Sequence, residues 1–113
     1  MSDYHLLIGG ALVPGDTTMP VVNPATEEVL ARCPRASKSQ LDQAVAAAKA
    51  AFPAWAATPI EERRRLIGKM ADVIEANSGE LARILTGEQG KPLAEAHGEI
   101  AVAVDQLRDH AVQ

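Results

Sequence analysis

The sequence contains few aromatic residues and a single cysteine. Aromatic residues make up 3% of the 113-residue chain, although 47% is hydrophobic. Much of that apolar content is alanine, which favours helices but contributes little buried area per residue. One cysteine, Cys33, excludes an internal disulfide and with it the class of small disulfide-stapled secreted domains. These features predict a helix-rich chain from a reducing compartment.

An excess of positive charge is also absent, since the formal net charge is -4. Nucleic-acid binding is therefore not expected, because it rests on clustered lysine and arginine. The one basic run, Arg63–Arg65, directly follows Glu61 and Glu62 and is typical of a solvated helix face with ion pairs. The N-terminus has no basic region before its apolar run, which Gly9-Gly10 interrupts, and no stretch is long enough to span a membrane. We expect a cytoplasmic chain with neither a nucleic acid nor a membrane as partner.

The first third of the chain predicts short strands. The runs His5–Ile8 and Ala11–Val13 are apolar apart from the histidine and flank Gly9-Gly10, a pair that tolerates the positive φ angles of a tight hairpin turn. This pattern predicts a β-hairpin that turns at the two glycines.

Two further extended runs follow the hairpin. Met19–Val22 is closed by Asn23-Pro24, and Glu28–Cys33 is ended by Pro34. With only a marginal hairpin beside them, residues 19–33 have no sheet of their own to join. The sequence therefore predicts a missing partner, either the rest of a longer chain or another subunit.

Helical periodicity begins at Ser37 and predicts four amphipathic helices, near residues 39–56, 59–76, 78–86 and 92–112. Either Ser37 with Gln40 or Ser39 with Asp42 can form the first capping pair. One apolar stripe then recurs at spacings of three or four, formed by Leu41, Val45, Ala48, Phe52 and Trp55. Pro53 is expected to distort or end this helix.

The later helices carry their own start and stop signals. Thr58 is the predicted cap of the second helix, with Pro59 at its first position and Glu61 as the capping-box carboxylate. Ser78 is the predicted cap of the third helix, which is expected to stop at Gly87.

Two stretches invite functional interpretations that the residues do not support. A phosphate-binding loop needs a glycine five residues before Gly90, where this chain has Leu85, and Lys91 is followed by Pro92. A helix that stops at Gly87 and a new helix that Pro92 opens explain the segment better. Cys33 lies at a strand end without a base nearby in sequence, so a small structural residue is the favoured interpretation.

The histidines predict no metal site. His5, His97 and His110 are scattered, and none stands at a ligand spacing from another histidine, a cysteine or a carboxylate on one helix face. His97 has Glu95 and Glu99 as neighbours in sequence, but residues two apart do not face each other on a helix.

Four stretches, taken in order, resemble the start of the aldehyde dehydrogenase family, and in particular members of the succinate-semialdehyde type. They are Ile8–Val13, the Asn-Pro-Ala-Thr turn of residues 22–29, Ala44–Trp55 with its Phe-Pro-Ala-Trp end, and Glu80–Glu99 with Glu-Gln-Gly-Lys-Pro. The resemblance implies an α/β parent fold with a Rossmann-like cofactor domain. Residues 1–113 would be the N-terminal part of that domain, with the hairpin and short strands in 1–36 and three or four helices in 37–113.

The resemblance also implies a function for a parent enzyme: oxidation of an aldehyde to a carboxylic acid with NAD or NADP, in a homo-oligomer. The family's catalytic cysteine, glutamate and asparagine and its nucleotide-binding residues lie beyond residue 113, so no catalytic, cofactor-binding or metal residue is assigned here. The segment alone is expected to bind no cofactor, to be inactive, and to need the remainder of the chain. A stand-alone helical interaction module is the alternative. Because Ala111–Gln113 carry no helix stop signal, a fragment is favoured.

Two further expectations come from the resemblance. In some relatives a carboxylate at the place of Glu99 helps to bind a monovalent cation together with backbone carbonyls, here near Val21 and Val22. Family members also often carry aromatic residues near the aldehyde entrance, where this chain has Arg108–Ala111. The lack of aromatic residues at this place leaves the substrate subfamily open.

Overall fold

The computed structural model describes residues 4–112, which form four strands and four helices. The strands are β1 (Leu6–Ile8), β2 (Ala11–Val13), β3 (Thr17–Val22) and β4 (Val29–Arg35), and the helices are α1 (Lys38–Ala57), α2 (Ile60–Ala76), α3 (Ser78–Gln89) and α4 (Leu93–Val112). The chain divides into two compact units. One contains the residues up to Val22 and Glu27–Ala57; the other contains Asn23–Thr26 and the residues from Thr58 onward.

The hairpin is confirmed. β1 and β2 are antiparallel, with Ile8 paired to Ala11, and the two-residue turn between them has positive φ at both Gly9 (61°) and Gly10 (83°). Two positive φ angles in succession define the turn type whose twist matches that of the flanking strands, and glycine adopts them without steric cost.

The expectation that residues 19–33 lack a sheet is wrong. β3 and β4 pair with each other, with Met19 opposite Cys33. Pro34 does not end the strand, because it lies within β4 opposite Thr18. In a two-stranded ribbon each strand is an edge strand, and a proline is tolerated at an edge.

Helix α1 begins with the capping box that Ser37 and Gln40 form, one of the two predicted pairs. The Gln40 amide donates to Ser37 Oγ at 3.2 Å, and the Ser37 amide donates to Gln40 Oε1 at 3.0 Å. Gln40 also accepts from the Asp16 amide at 3.1 Å and donates through Nε2 to the Pro14 carbonyl at 2.9 Å. One side chain therefore caps the helix and ties it to the loop that follows β2.

Pro53 does not end α1, as one of the two predicted outcomes had it, because the helix continues to Ala57. Pro53 removes only the hydrogen bond that its missing N–H would give to the carbonyl four residues earlier. Its ring lies on the solvent side of the last turns, where that loss is tolerated.

Both predicted caps of the next two helices are wrong. The N-cap of α2 is Pro59, whose carbonyl accepts from the Glu62 and Arg63 amides, and no side chain caps this end. Asn77 is the N-cap of α3, so Ser78 is already the first helical residue. Asn77 bonds back into α2 instead, through Nδ2 to the Val73 carbonyl at 2.7 Å.

Helix α3 does not stop at Gly87. It runs two residues past Gly87, to Gln89, and ends where Gly90 takes the left-handed conformation with φ 75° and donates its amide to the Thr86 carbonyl at 2.8 Å. Both glycines are compatible with a helix end, and Gly90 lies beside Pro24, where a Cβ would approach the proline Cγ to 2.9 Å.

The fully buried hydrophobic residues of the described chain all lie in the second unit, where α4 packs against α2 and α3: Ala71, Ala82, Ala96 and Val104. Three of the four are alanines, so the area that leaves water is small. Helix α1 contains no buried residue. Within residues 4–112, no helix has the length and apolar content that crossing a bilayer requires.

Candidate functional site

The predicted ion pairs of the basic run are present on α2. Arg64 bonds Glu61 at 2.8 Å, and Arg65 bonds both carboxylate oxygens of Glu62, at 2.5 and 2.7 Å. The hydrogen bond from Arg65 lowers the pKa of the Glu62 carboxyl below its ordinary value. The carboxylate of Glu61, the predicted capping-box residue, is held through Oε1 by the arginine one turn later.

Cys33 has the setting expected of a structural residue. Its side chain is half-buried on β4, and the residue opposite it across the ladder is Met19. Neither a histidine nor a carboxylate bonds to its thiol in the described part of the chain. The arrangement offers no base that would generate a thiolate nucleophile.

The segment after α3 is a helix junction. The backbone turns at Gly90, and the ammonium group of Lys91 forms an ion pair with the Glu99 carboxylate on α4. Lys91 therefore binds a carboxylate within the chain, and no phosphate-binding loop is formed. The predicted cation role of Glu99 stays a prediction, although its carboxylate already has the Lys91 ammonium as a partner.

The histidines do not come together. His110 Nδ1 lies 2.7 Å from the Gln106 carbonyl one turn earlier on α4, which suits a protonated Nδ1 that donates to it. His97 is exposed on the same helix. Among residues 4–112, no group of three histidine, cysteine or acidic side chains could hold a metal ion.

Sequence reasoning missed an arginine clamp between α2 and α4. Arg108 Nη2 donates to Glu75 Oε2 at 2.6 Å and to Asp72 Oδ1 at 3.1 Å, and Nη1 donates to Glu75 Oε1 at 3.2 Å. The hydrogen bonds and charge of Arg108 lower the pKa of the Glu75 carboxyl below its ordinary 4.5 and raise that of the guanidinium. In the sequence, the only sign of this cluster is that Asp72 and Glu75 lie one turn apart on a predicted helix. Nothing near them indicates that their partner is Arg108, more than thirty residues away.

Beside this clamp is a small cavity of about 190 Å³. Its polar lining consists of Glu75, Ser78, His97 and Asp105, and its floor includes Ile100 and Val104. These residue types are those of a hydrolytic triad, but a relay needs the base bonded to the nucleophile. His97 bonds neither Ser78 nor a carboxylate, and Glu75 is held by Arg108. The cavity is therefore a polar recess without a catalytic arrangement.

The described residues form no dinucleotide-binding unit of the parallel βαβ type. Such a site needs parallel strands joined through a helix whose N-terminus receives the pyrophosphate. Both sheets within residues 4–112 are antiparallel pairs, so no βαβ unit is formed there.

Comparison with known proteins gives the family. The sequence model of the aldehyde dehydrogenase family matches residues 12–113. A probable aldehyde dehydrogenase from Pseudomonas sp is 45% identical over 103 residues, which are 91% of this chain and 21% of that protein. The chain thus spans about a fifth of the length of the curated relatives it matches.

Solved structures give the same result. An NAD-dependent aldehyde dehydrogenase from Sinorhizobium meliloti superposes with a TM-score of 0.93 at 40% identity, over 97% of this chain and 23% of that one. Succinate-semialdehyde dehydrogenase from Burkholderia pseudomallei gives 0.90, also at 40% identity, over 96% and 23%. The described strands and helices therefore have the fold of the N-terminal segment of these enzymes, and the chain belongs to the aldehyde dehydrogenase family.

Proposed function

We propose that this chain is the N-terminal segment of an oxidoreductase that oxidises an aldehyde to a carboxylic acid with NAD or NADP. The observation that carries the proposal is the superposition on an NAD-dependent aldehyde dehydrogenase over 97% of the chain at 40% identity. Succinate semialdehyde is the first substrate to test, because a dehydrogenase of that aldehyde is among the solved relatives.

The role of the segment itself is structural in this proposal. Residues 1–113 form the N-terminal part of the cofactor-binding domain, and the later part of the chain supplies the reacting groups and the nucleotide site. The segment alone binds neither NAD nor NADP and is inactive, and the complete enzyme is a homo-oligomer.

The surface of α2 supports this role. Leu66, Met70, Val73 and Ile74 form a continuous apolar strip on the helix, and Met70 and Val73 are 55% and 63% exposed. Large apolar patches on soluble proteins mark contact surfaces. We assign this strip to contact with the remainder of the parent chain.

A chimaera tests the proposal. Residues 1–113 replace the matching segment of the Burkholderia pseudomallei enzyme, and NAD(P)H production is followed with succinate semialdehyde. We expect activity from the chimaera and none from the 113-residue chain, which should also bind neither coenzyme in calorimetry. A chimaera with Val73→Glu should lose solubility or activity, whereas one with Glu80→Gln, a change at an exposed residue of α3, should not.

Two results would contradict the proposal. One is a chimaera that folds, as judged by circular dichroism and mass, but produces no NAD(P)H. The other is aldehyde oxidation by the 113-residue chain itself. A monomeric, inactive 113-residue chain with a cooperative melt would support the alternative of a stand-alone helical interaction module.

A further inference from the structure

Each strand of the β3–β4 ribbon contains a proline inside the ladder. Pro20 lies in β3 opposite Arg32, and Pro34 lies in β4 opposite Thr18. In an antiparallel ladder, pairs that exchange two backbone hydrogen bonds alternate with pairs that exchange none. Because proline has no N–H to donate, both pairs that contain a proline are of the second kind.

The prolines therefore determine where the backbone groups of the ribbon point. Met19 and Cys33 lie between the two proline-containing pairs, so they exchange the hydrogen bonds that join the strands. The residues of the pairs on either side point their backbone groups outward. Over these pairs each outer edge has one N–H where a third strand would need two, that of Thr18 on β3 and that of Arg32 on β4.

Without the prolines, the ribbon would be a template that other chains could extend. It exposes large apolar side chains, since Met19, Val29 and Leu30 are 51%, 56% and 49% exposed. An exposed apolar edge strand without charges readily pairs with another chain. β3 contains no charged residue, whereas β4 contains Arg32 and Arg35, and charges on an edge strand oppose such pairing. The edge of β3 therefore depends more on its proline than the edge of β4 does.

We infer that Pro20 protects the edge of β3 against pairing with a strand of another chain, above all with β3 of a second copy. In an antiparallel pair of two β3 strands, Thr18 of each copy would lie opposite residue 20 of the other. The wild-type pair could form only the hydrogen bonds that the Thr18 amides donate, and the Thr18 carbonyls would face a ring without a donor. A carbonyl that is buried without a partner opposes association.

The same donor is missing for any strand that approaches this edge. A strand from the later part of a parent chain would meet the ring of Pro20 as a second copy would. The inference therefore does not depend on which of the two comes close to the ribbon, and it rests on the register of β3 and β4 rather than on the proposed function.

Hydrogen exchange of single amides, followed by NMR, tests the direction of the backbone groups in the wild-type chain. We expect the amides of Met19 and Cys33 to exchange at least about tenfold more slowly than those of Thr18 and Arg32, because only the first two are bonded within the ribbon. Equal protection of the Thr18 and Met19 amides would show that the outer edge of β3 is already paired, and would overturn the inference.

Pro20→Thr tests the protection itself. A symmetric pair of β3 strands regains two N–H donors in this variant, so association should strengthen by about tenfold or more. Sedimentation velocity measures the association, and slower exchange of the Thr18 amide at high concentration locates it at β3. Thr18→Val is the matched control and should associate as the wild type does, because it makes the same edge more apolar without adding a donor. Pro34→Thr should have a smaller effect than Pro20→Thr, because the arginines of β4 repel those of a second copy.

Three results with these variants would overturn the inference. The first is association no stronger than that of the wild type in both Pro20→Thr and Pro20→Ala, when circular dichroism shows that they fold as the wild type does. The second is association of Thr18→Val as strong as that of Pro20→Thr, and the third is an equal effect of Pro34→Thr. None of these measurements involves NAD(P)H production by the chimaera, so the proposed function and this inference can fail independently.

Discussion

Gly15 lies directly against the backbone of Arg35. A Cβ at position 15 would come within 2.8 Å of both the nitrogen and the carbonyl oxygen of Arg35, and within 2.9 Å of the Pro34 Cβ. Glycine is therefore required at position 15 by close approach of two backbones, in the loop that Gln40 ties to the start of α1.

We expect Gly15→Ala to destabilise the first unit by about 1–3 kcal/mol, the usual cost of inserting a methyl group into filled space. The fluorescence of Trp55, the only tryptophan, follows urea unfolding of this unit. Gly68→Ala is the control, because a Cβ there meets nothing within 4 Å and alanine is the better helix former. Equal unfolding midpoints for Gly15→Ala and the wild type would show that the contact with Arg35 is absent.

Gly90 combines two requirements, a left-handed backbone and a close neighbour. Its φ is 75°, and a Cβ would lie 2.9 Å from the Pro24 Cγ. Asparagine tolerates the left-handed region almost as well as glycine does, but it carries a Cβ. We expect both Gly90→Ala and Gly90→Asn to destabilise the second unit by about 1 kcal/mol or more, as measured by circular dichroism in urea.

A double variant at Gly90 and Pro24 separates the effect of the left-handed backbone from the effect of the close contact. Pro24→Ala introduced beside Gly90→Asn should recover part of the lost stability, because it removes the ring that the new Cβ meets. If Gly90→Asn is as stable as the wild type, the backbone conformation alone selects glycine, and the contact with Pro24 contributes nothing.

Local signals in the sequence predicted the helices and the hairpin. The Ser37–Gln40 box and the turn at Gly9-Gly10 involve residues within three positions of one another, and both were found as expected. The sequence predictions fail where residues far apart in the chain determine the structure. Gly87 and Gly90 are equivalent by local rules, and the end of α3 is at Gly90, which lies against Pro24.

Pairing across the chain could not be inferred either. The sequence predicts no sheet for residues 19–33, because nothing in either strand specifies that Met19 lies opposite Cys33. The Arg108 clamp is of the same kind, since Asp72 and Glu75 reach it only after α2 and α4 pack together. Non-local contacts follow from the whole arrangement of helices and strands, which local periodicity does not determine.

The Arg108 clamp predicts a pH dependence of the α2–α4 contact. Arg108 lowers the pKa of Glu75 below 4.5, so the ionised carboxylate is favoured in the folded state. The contribution of the pair is therefore present above about pH 4.5 and is lost as the pH falls through the lowered pKa. Both groups are exposed, so the contribution should also decrease with added salt.

Arg108→Gln tests this dependence. The pKa of Glu75, followed by NMR titration of its side-chain carboxyl, should rise towards 4.5, and the variant should be less stable than the wild type at neutral pH but equal to it in acid. Arg83→Gln, a change at an exposed arginine of α3, is the control and should leave the titration of Glu75 unchanged. A Glu75 pKa that is the same with and without Arg108 would contradict the clamp.

Cys33 should be dispensable for aldehyde oxidation. Its thiol is half-buried opposite Met19 and bonds no histidine or carboxylate in the described residues, so no group there would turn it into a nucleophile. We expect Cys33→Ser in the chimaera to leave the rate of NAD(P)H production unchanged, because serine is close in size and the site is not fully buried. Iodoacetamide should still inhibit this variant if the reacting thiol lies beyond residue 113. A large loss of turnover by a Cys33→Ser chimaera that keeps the circular dichroism spectrum and oligomeric mass of its parent would show that Cys33 takes part in the reaction.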